Sequence, residues 1–582
     1  RPVKTTRYLG SYSLDIKLPV DGLKFRSNLG LDARTVQDYE FWSAKTSNRG
    51  MGTSYAKNAV DKYTMFTLEN MLFYDKTFND KHTLGVTLLQ SIQEDKRESV
   101  NVAMENLPAD NLKYYDLGSG LVTNTIGSSM IKWNMASFMG RINYNYLGRY
   151  LLTVSARYDG SSRLADGHKW VLFPSAALAW RINEESFMSS TSGWLDNLKL
   201  RLGFGKTGNS AVDPYQTKGT LSLIRYPFDN GGTPTIGYAP NAMANSLLTW
   251  ETTDQWNLGI DFGVLRGRIN GTIDLYMQNT HDLLLKRQLP VVSGFPDVLS
   301  NVGKTRNKGI EVSINSMNIN SKDFQWTTDL MLSSNKEEIV ELYNGKNDDI
   351  GSKWFIGQPV NVHYDYRKVG IWQNTESDLA EMAKFAANGT EFAPGDIKIQ
   401  DVNGDYKITD ADKQILGNPR PKLIASMVNT FNYKGFDLSV FLYASFGAML
   451  YNDIYAVEHC GRNGGVKVDY WTPNNPTNAY PRPSIDEERP IYITSTYYEK
   501  ADFLRVKTMT LGYTLPKTLT NKFLVEKLRV YFTAQNPFIF TNYTGIDPEA
   551  AKVNSAGNPE TNGSGFGTPS VSSWIFGINL TL

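Results

Sequence analysis

The sequence predicts an all-β chain folded as a transmembrane antiparallel barrel. Three observations predict it: apolar residues recur at every second position, the segments that do so are long, and the connections between them alternate short and long. A period of two puts successive side chains on opposite faces of a strand, so each segment carries one apolar and one polar face.

The alternation is clear along the chain. Over 138–146, Phe138, Gly140, Ile142, Tyr144 and Tyr146 share one face, while Met139, Arg141, Asn143 and Asn145 share the other. After Leu147-Gly148, Tyr150, Leu152, Val154, Ala156 and Tyr158 alternate with Thr153, Ser155, Arg157 and Asp159. Trp256, Leu258, Ile260, Phe262 and Val264 do the same, followed by Ile269, Gly271, Ile273, Leu275 and Met277. About 17 strands are expected in this way. They lie near 8–18, 22–36, 61–75, 80–94, 132–146, 149–159, 171–182, 197–208, 254–265, 268–281, 306–316, 324–334, 422–433, 436–446, 501–515, 527–536 and 572–582. Many are twice the usual length of roughly five or six residues in globular proteins. A tilted strand needs about 9–11 residues to cross the hydrocarbon, so these cross and project beyond it.

Short connections fall at 19–21, 76–79, 147–148, 183–196, 266–267, 317–323, 434–435 and 516–526. Long ones fall at 37–60, 95–131, 160–170, 209–253, 282–305, 335–421, 447–500 and 537–571. Tight turns on one side and long loops on the other are the layout of outer-membrane barrels. A soluble sandwich or propeller has no reason to sort its loops by parity. The last segment places Trp574, Phe576, Ile578, Leu580 and Leu582 on one face, as a barrel-closing strand would. An odd strand count leaves unpaired edges that lipid cannot satisfy. The expectation is therefore that 1–582 is part of a barrel of about 22 strands, the size whose lumen holds a plug, with about five strands upstream.

Composition agrees with this. The 582 residues carry 60 Lys+Arg against 59 Asp+Glu, which gives no basic field for neutralising the phosphates of a nucleic acid. A single cysteine, Cys460, excludes a disulfide scaffold. No run approaches about 18 apolar residues, so no membrane-spanning helix is expected. The 12% aromatic content suits interfacial girdles.

The run from Gly148 to Arg163, Gly-Arg-Tyr-Leu-Leu-Thr-Val-Ser-Ala-Arg-Tyr-Asp-Gly-Ser-Ser-Arg, resembles a stretch typical of SusC/RagA-type TonB-dependent transporters. Phe173-Pro174-Ser175, Ala179-Trp180-Arg181-Ile182, Leu198-Lys199-Leu200-Arg201 with Thr207-Gly208-Asn209, and Leu248–Thr253 follow in that family's order. So do Arg306–Glu311, Pro394-Gly395-Asp396-Ile397 and Tyr433–Ser439. The resemblance covers the chain from about residue 130 onward and implies an outer-membrane importer, in Bacteroidota, for oligosaccharides or, in some members, peptides. It also implies a SusD-like lipoprotein as a hinged lid, two such pairs side by side, and energy from TonB–ExbB–ExbD acting on an upstream box and plug.

The sharpest local motif is 401–412, within the long extracellular loop 335–421. Asp401, Asn403, Asp405 and Thr409 offer oxygens at positions 1, 3, 5 and 9 of an EF-hand-like loop; Lys407 offers its carbonyl at 7 and Asp412 sits at 12. A structural Ca2+ (or Mg2+) is expected there, although Tyr406 replaces the preferred glycine at position 6 and Asp412 is one methylene shorter than glutamate. The other reading is an Asx-turn loop without metal. For substrate, the loop aromatics Trp354, Tyr364, Tyr366, Trp471, Tyr497 and Tyr498 present planes on which sugar rings stack, with Trp372, Tyr470 and Tyr480 beside them. The alternative is that such rings pack the loops. No catalytic constellation is expected: the five histidines are scattered, and His459 beside Cys460 points to the opposite side of the backbone. The alternatives to glycan import are peptide import within the same family, a passive porin and a β-rich surface binding protein.

Overall fold

The structure is a computed structural model that describes residues 1–50, 52–226, 235–452, 467–484, 489–520, 522, 525–549 and 570–581. Seventeen long strands belong to one antiparallel sheet, one for each strand the alternation predicts. Among the described residues no helix is long and apolar enough to cross a membrane. The chain divides into two compact units, one of residues 1–185, 200–257 and 278–304 and the other of residues 186–199, 258–277 and 305–582. Strands β8 (Leu195–Asn209), β9 (Glu251–Val264) and β10 (Ile269–His281) contribute to both.

The first unit holds β1 (Val3–Lys17), β2 (Leu23–Trp42), β3 (Tyr55–Phe78), β4 (His82–Glu105), β5 (Val122–Tyr146), β6 (Tyr150–Ser161) and β7 (Trp170–Arg181). Each pairs with the next in antiparallel register. One face is exposed and apolar: Tyr12, Leu14, Leu88, Ile92, Phe138, Ile142 and Val154 all lie on it. Three polar residues on this face, Ser27, Asn70 and Gln90, hydrogen-bond in a row at 2.8 Å per link, which satisfies groups that an apolar medium cannot. The opposite face is charged. Arg7 pairs with Asp32 at 2.6 Å and Arg26 with Asp15 at 2.7 Å, while the guanidiniums of Arg34 and Arg97 lie 4.3 and 4.9 Å from the centre of the Tyr63 ring.

Strands β3, β4 and β5 run 24, 24 and 25 residues, well past their expected ends near 61, 94 and 132. The expected loops 37–60 and 95–131 shrink to 43–54 and 106–121 accordingly. The reason lies in the side chains. Glu94 to Ser99 are polar on both faces, so the hydrophobic period vanishes while the backbone ladder continues through Glu98↔Met130 to Glu105↔Val122.

The tight turns use left-handed backbone. Leu147 and Gly148 (φ 58° and 68°) turn the chain from β5 to β6, closed by the Arg149 N–H on the Tyr146 carbonyl at 3.0 Å. On the long-loop side, Asp159 and Ser161 of the Asp-Gly-Ser-Ser-Arg run are buried, and Arg157 bridges Asp159 at 2.7 Å and Ser137 at 3.0 Å. Leu164, Phe173, Val212, Leu248 and Trp250 form a small core beside them, and the Trp250 indole donates to the Lys169 carbonyl at 2.8 Å. These motifs are joints of the fold.

The second unit holds β11 (Lys304–Asn320) except its first residue, β12 (Phe324–Glu341), β13 (Leu423–Tyr433), β14 (Phe436–Phe446), β15 (Phe503–Thr514), β16 (Lys527–Thr541) and β17 (Ser573–Thr581). From β12 to β17 the strands again pair successively. Lys434 and Gly435 (φ 45° and 87°) make the β13–β14 hairpin. In β17, Trp574, Phe576, Ile578 and Leu580 are all more than half exposed on one face, an apolar stripe that needs a covering.

Candidate functional site

Two long connections, 342–422 and 447–502, carry a folded assembly of their own. Three short ladders build it: His363–Asp365 with Gln414–Gly417, Lys368–Ile371 with Ile397–Ile399, and Met449–Tyr451 with Tyr498–Lys500. The helix α1 (Glu376–Ala387) completes it. Thr375 caps α1 by accepting the Asp378 N–H at 3.2 Å, Glu376 and Asp378 sit in its first turn and Lys384 in its last, and Gly389 (φ 89°) follows its end. Residues 375–389 therefore hold cap, first-turn acids and terminal glycine in order, signals by which this helix is readable from sequence.

Alternation along Lys368–Ile371 and the residue after it sends neighbours to two small cores. Ile371 joins Ile397, Ile399, Trp471, Tyr480, Ile493 and Tyr497. Trp372, with no exposed surface, joins Met382 and Phe385 of α1, with Phe392, Tyr406 and Ile408 packed against them. Lys398 holds the two cores in register: its Nζ lies 4.0 Å from the Trp372 ring centre and pairs with Asp378 at 3.2 Å and with Glu381. Gly395 (φ 94°) has a conformational reason as well as a steric one, since a Cβ there would come within 2.5 Å of the Trp471 ring.

The aromatic residues expected to bind substrate are thus divided. Trp471 is 6% exposed, donating its indole N–H to Gln373 Oε1 at 2.8 Å, and Tyr497 is 1% exposed, edge-on to Tyr451. Both pack the interior, as do Trp372 and Tyr480. Tyr498 is half-buried against His363 and donates its hydroxyl to Asp365 at 3.0 Å; burial, with the charge of Asp365, pushes its phenol far above its ordinary range. Tyr364 packs on Phe355 at 4.8 Å, and Trp354 is half-buried beside a backbone bridge to Asp349. Tyr366 stands edge-on to Tyr492 at 5.0 Å and donates to Asp410 at 3.3 Å.

The 401–412 loop closes on its own backbone. Asp401 accepts the N–H groups of Gly404 and Tyr406 at 2.7 and 2.8 Å, and Asp405 accepts that of Lys407 at 2.8 Å. Asn403 accepts the Asp405 N–H at 3.1 Å and donates its amide to Asp405 at 2.9 Å. Tyr406 adopts φ 58°, the left-handed turn for which glycine is preferred, and its ring is held edge-on to Phe385 at 5.4 Å. Asp412 is fully buried, with Oδ1 on the Val402 N–H at 2.9 Å and Oδ2 on the Thr409 N–H at 2.8 Å. Thr409 in turn caps the short turn Asp410–Asp412. Among the described residues no three His, Cys, Asp or Glu side chains gather as a metal-holding group. Asp412 in particular is committed to backbone donors.

Between these elements lies a cavity of about 630 Å3, lined by Phe392, Ile408 and Tyr492 on the apolar side and by Thr390, Glu391, Asp396, Arg482 and Ser484 on the polar side. Phe392 and Tyr492 face it with ring centres 6.4 Å apart. Arg482 donates to Asp396 at 2.8 Å, and Asp396 also accepts the Ala393 N–H at 2.8 Å, so the pair is fixed from two sides. Among the described residues the lining holds no histidine or cysteine. Ring faces beside a rigid ion pair can hold a polyhydroxylated ligand; nothing there couples a nucleophile to a base. Sequence reasoning passed over Phe392, Tyr492 and Arg482. The nearest signal is Pro394-Gly395-Asp396, which marks where the chain turns into the cavity.

The histidines stay apart. His82 contacts Tyr144, His281 contacts Asp254 at 3.2 Å, and His363 is buried with Nε2 on the Met449 carbonyl at 2.8 Å, burial lowering its pKa. His459 and Cys460, with the neighbouring glycines 461–465, lie outside the described residues.

The family model described as "TonB dependent receptor-like, beta-barrel" matches residues 2–536. TonB-dependent receptor P3 of Formosa agariphila is 32% identical over 581 residues, covering 96% of this chain and 56% of its own length. TonB-dependent receptor SusC of Bacteroides thetaiotaomicron is 35% identical over 434 residues, covering 71% of this chain and 41% of its own. The matches thus span 56% of the P3 receptor and 41% of SusC, about half the length of these relatives. Among solved structures, the RagAB peptide transporter superposes with a TM-score of 0.83 at 22% identity, over all of this chain and 62% of its own, which establishes the fold.

Proposed function

Since the chain belongs to the SusC/RagA type of TonB-dependent receptor, a β-barrel family of the outer membrane, we propose that it is the major part of the barrel of an importer for oligosaccharides. The observation that carries the substrate class is the cavity between the two long connections. Phe392 and Tyr492 offer planes for the C–H faces of sugars, and Asp396, Arg482 and Glu391 offer acceptors and donors for hydroxyls. In this reading a SusD-like lipoprotein closes over the long-loop side, two transporter–lipoprotein pairs stand together, and TonB–ExbB–ExbD supplies energy through segments of the protein outside residues 1–582.

The test is calorimetric titration of the full-length transporter with a panel of oligosaccharides and of peptides. An oligosaccharide binds, and Tyr492→Ala weakens it by about tenfold, the order expected for one lost stacking plane. Binding of peptides alone makes the protein a peptide importer of the same family. Uptake that persists without TonB makes it a passive porin.

A divalent cation in the 401–412 loop is a separate proposal. Asn403 and Asp405 are exposed and Asp401 half-buried, and their side-chain oxygens keep lone pairs beyond those the backbone uses, while Asp412 is engaged inside.

A further inference from the structure

In the first unit, β5, β6 and β7 end their apolar face in a ring stack. Phe138, Tyr158 and Leu172 sit at one level of the register, and Trp170 lies over them, 4.9 Å from Tyr158 and 6.3 Å from Phe138. The indole lies flat on Gly160, where a Cβ would meet it at 2.4 Å. Aromatic residues stacked at the edge of an apolar band mark the boundary between hydrocarbon and headgroups.

On the long-loop side of that boundary the same face changes character. Met130, Lys132 and Asn134 of β5 continue it, Ser162 follows β6, and the segment around Tyr215 folds over them to leave a cavity of about 460 Å3. Three ammonium groups line it: Lys132, Lys169 and Lys218. The site is built by backbone. Asn134 N–H donates to Ser162 Oγ at 2.8 Å, and the Lys132 N–H donates to the hydroxyl of Tyr215, itself held at φ 72°. Acids are present too. Glu94 pairs with Lys132 at 2.9 Å and Asp166 with Lys169 at 2.5 Å, but Lys218 is exposed and makes no ion pair among the described residues. Asp166 lines the cavity too and its charge acts on Lys218, so among the lining residues three cations face one acid, one step beyond the aromatic boundary.

We propose that this cavity binds the phosphorylated saccharide headgroup of an outer-leaflet lipid, whose acyl chains lie along the apolar face of Phe138, Ile142 and Val154. The depth fixes the occupant: lipid phosphates sit just outside the aromatic girdle, where each nearby Lys adds to the attraction. A soluble sugar has no use for the adjoining apolar strip. The inference uses the outer-membrane setting but is independent of what the protein imports.

The full-length transporter in detergent, followed by native mass spectrometry, tests it with a bis-phosphorylated lipid A and its dephosphorylated form as probes. The phosphorylated lipid binds about tenfold more tightly, and a variant combining K132Q, K169Q and K218Q loses the preference. Lys218→Gln alone, at an exposed position, lowers it about threefold and covers the case in which the triple variant does not assemble. A control pair at the opposite end of the strands, Lys76→Gln with Lys81→Gln, leaves it unchanged. Equal binding of the two lipids, an undiminished preference in the variants, or full displacement by millimolar inorganic phosphate overturns the proposal; the last identifies a free-anion site instead.

Discussion

Replacing Asp412 separates two accounts of the 401–412 loop. The carboxylate has no exposed surface, and its two oxygens accept the N–H groups of Val402 and Thr409 at 2.9 and 2.8 Å, with the Thr409 hydroxyl a weaker donor at 3.4 Å. Hydrogen bonds to a charged acceptor contribute about 1.5–3 kcal/mol each, and a donor left buried costs more than the mean bond. Asp412→Ala removes both strong bonds and costs about 3–5 kcal/mol locally. Asp412→Asn keeps the shape and one acceptor and costs about half of that. Hydrogen exchange of the full-length transporter, read on peptides covering 401–412, reports this loss directly. Exchange there rises by about two orders of magnitude or more in Asp412→Ala, since each 1.4 kcal/mol is about tenfold. Chelation of divalent ions is the second arm. If backbone donors alone close the loop, chelation leaves wild-type exchange and protease sensitivity unchanged; if a cation is held by Asp401, Asn403 and Asp405, chelation loosens the wild type by itself. Protection in Asp412→Ala within about threefold of wild type, with the sheet intact, refutes the structural role assigned to the carboxylate.

Three further outcomes follow from the same geometry. Trp372→Ala, at a site with no exposed surface between α1 and Phe392, costs about 3–5 kcal/mol and exposes α1 to exchange while β12 and β13 stay protected, as exchange mapping would record. His363 is buried and its folded-state pKa lies below the ordinary value, so protonation favours the open loop. Stability of the assembly is therefore full above about pH 6.5 and declines as pH falls below it; His363→Gln flattens that profile in a pH series of limited proteolysis. Phe576→Arg puts a charge on the exposed apolar face of β17 and costs about 2–4 kcal/mol if that face meets the bilayer interior, whereas Asn579→Asp, a charge on the other face opposite Arg529, costs little. Heat-modifiable migration of the assembled protein measures both.

Strand positions were legible because lipid and water impose a period of two on the residues between them. Where that contrast ends, so does the signal. The ladder of β4 and β5 runs on from Glu94↔Asn134 to Glu105↔Val122 through Glu94–Ser99, which is polar on both faces, and only backbone pairing records that stretch. Loop length was legible for the same reason in reverse, since the turns at Leu147-Gly148 and Lys434-Gly435 need left-handed backbone that the sequence announces with glycine.

The site was harder to read because its core is assembled from distant pieces. Gln373 and Trp471, joined at 2.8 Å, are 98 residues apart, and the ladder Lys368–Ile371 with Ile397–Ile399 is too short to show a period. An aromatic residue in a long connection therefore reads as exposed, although Trp372, Trp471 and Tyr497 hold the connection together. The ligand-facing role falls to rings that this packing presents but does not consume. Phe392 leans on Trp372 at 5.5 Å and Tyr492 on Tyr366 at 5.0 Å, each supported on one side and open to the cavity on the other. A ring held in this way loses little conformational freedom on binding, so its stacking energy reaches the ligand nearly undiminished. Changes in the supporting residues Trp372 and Tyr366 should then weaken binding without touching the ligand, and they should do so through the positions of Phe392 and Tyr492.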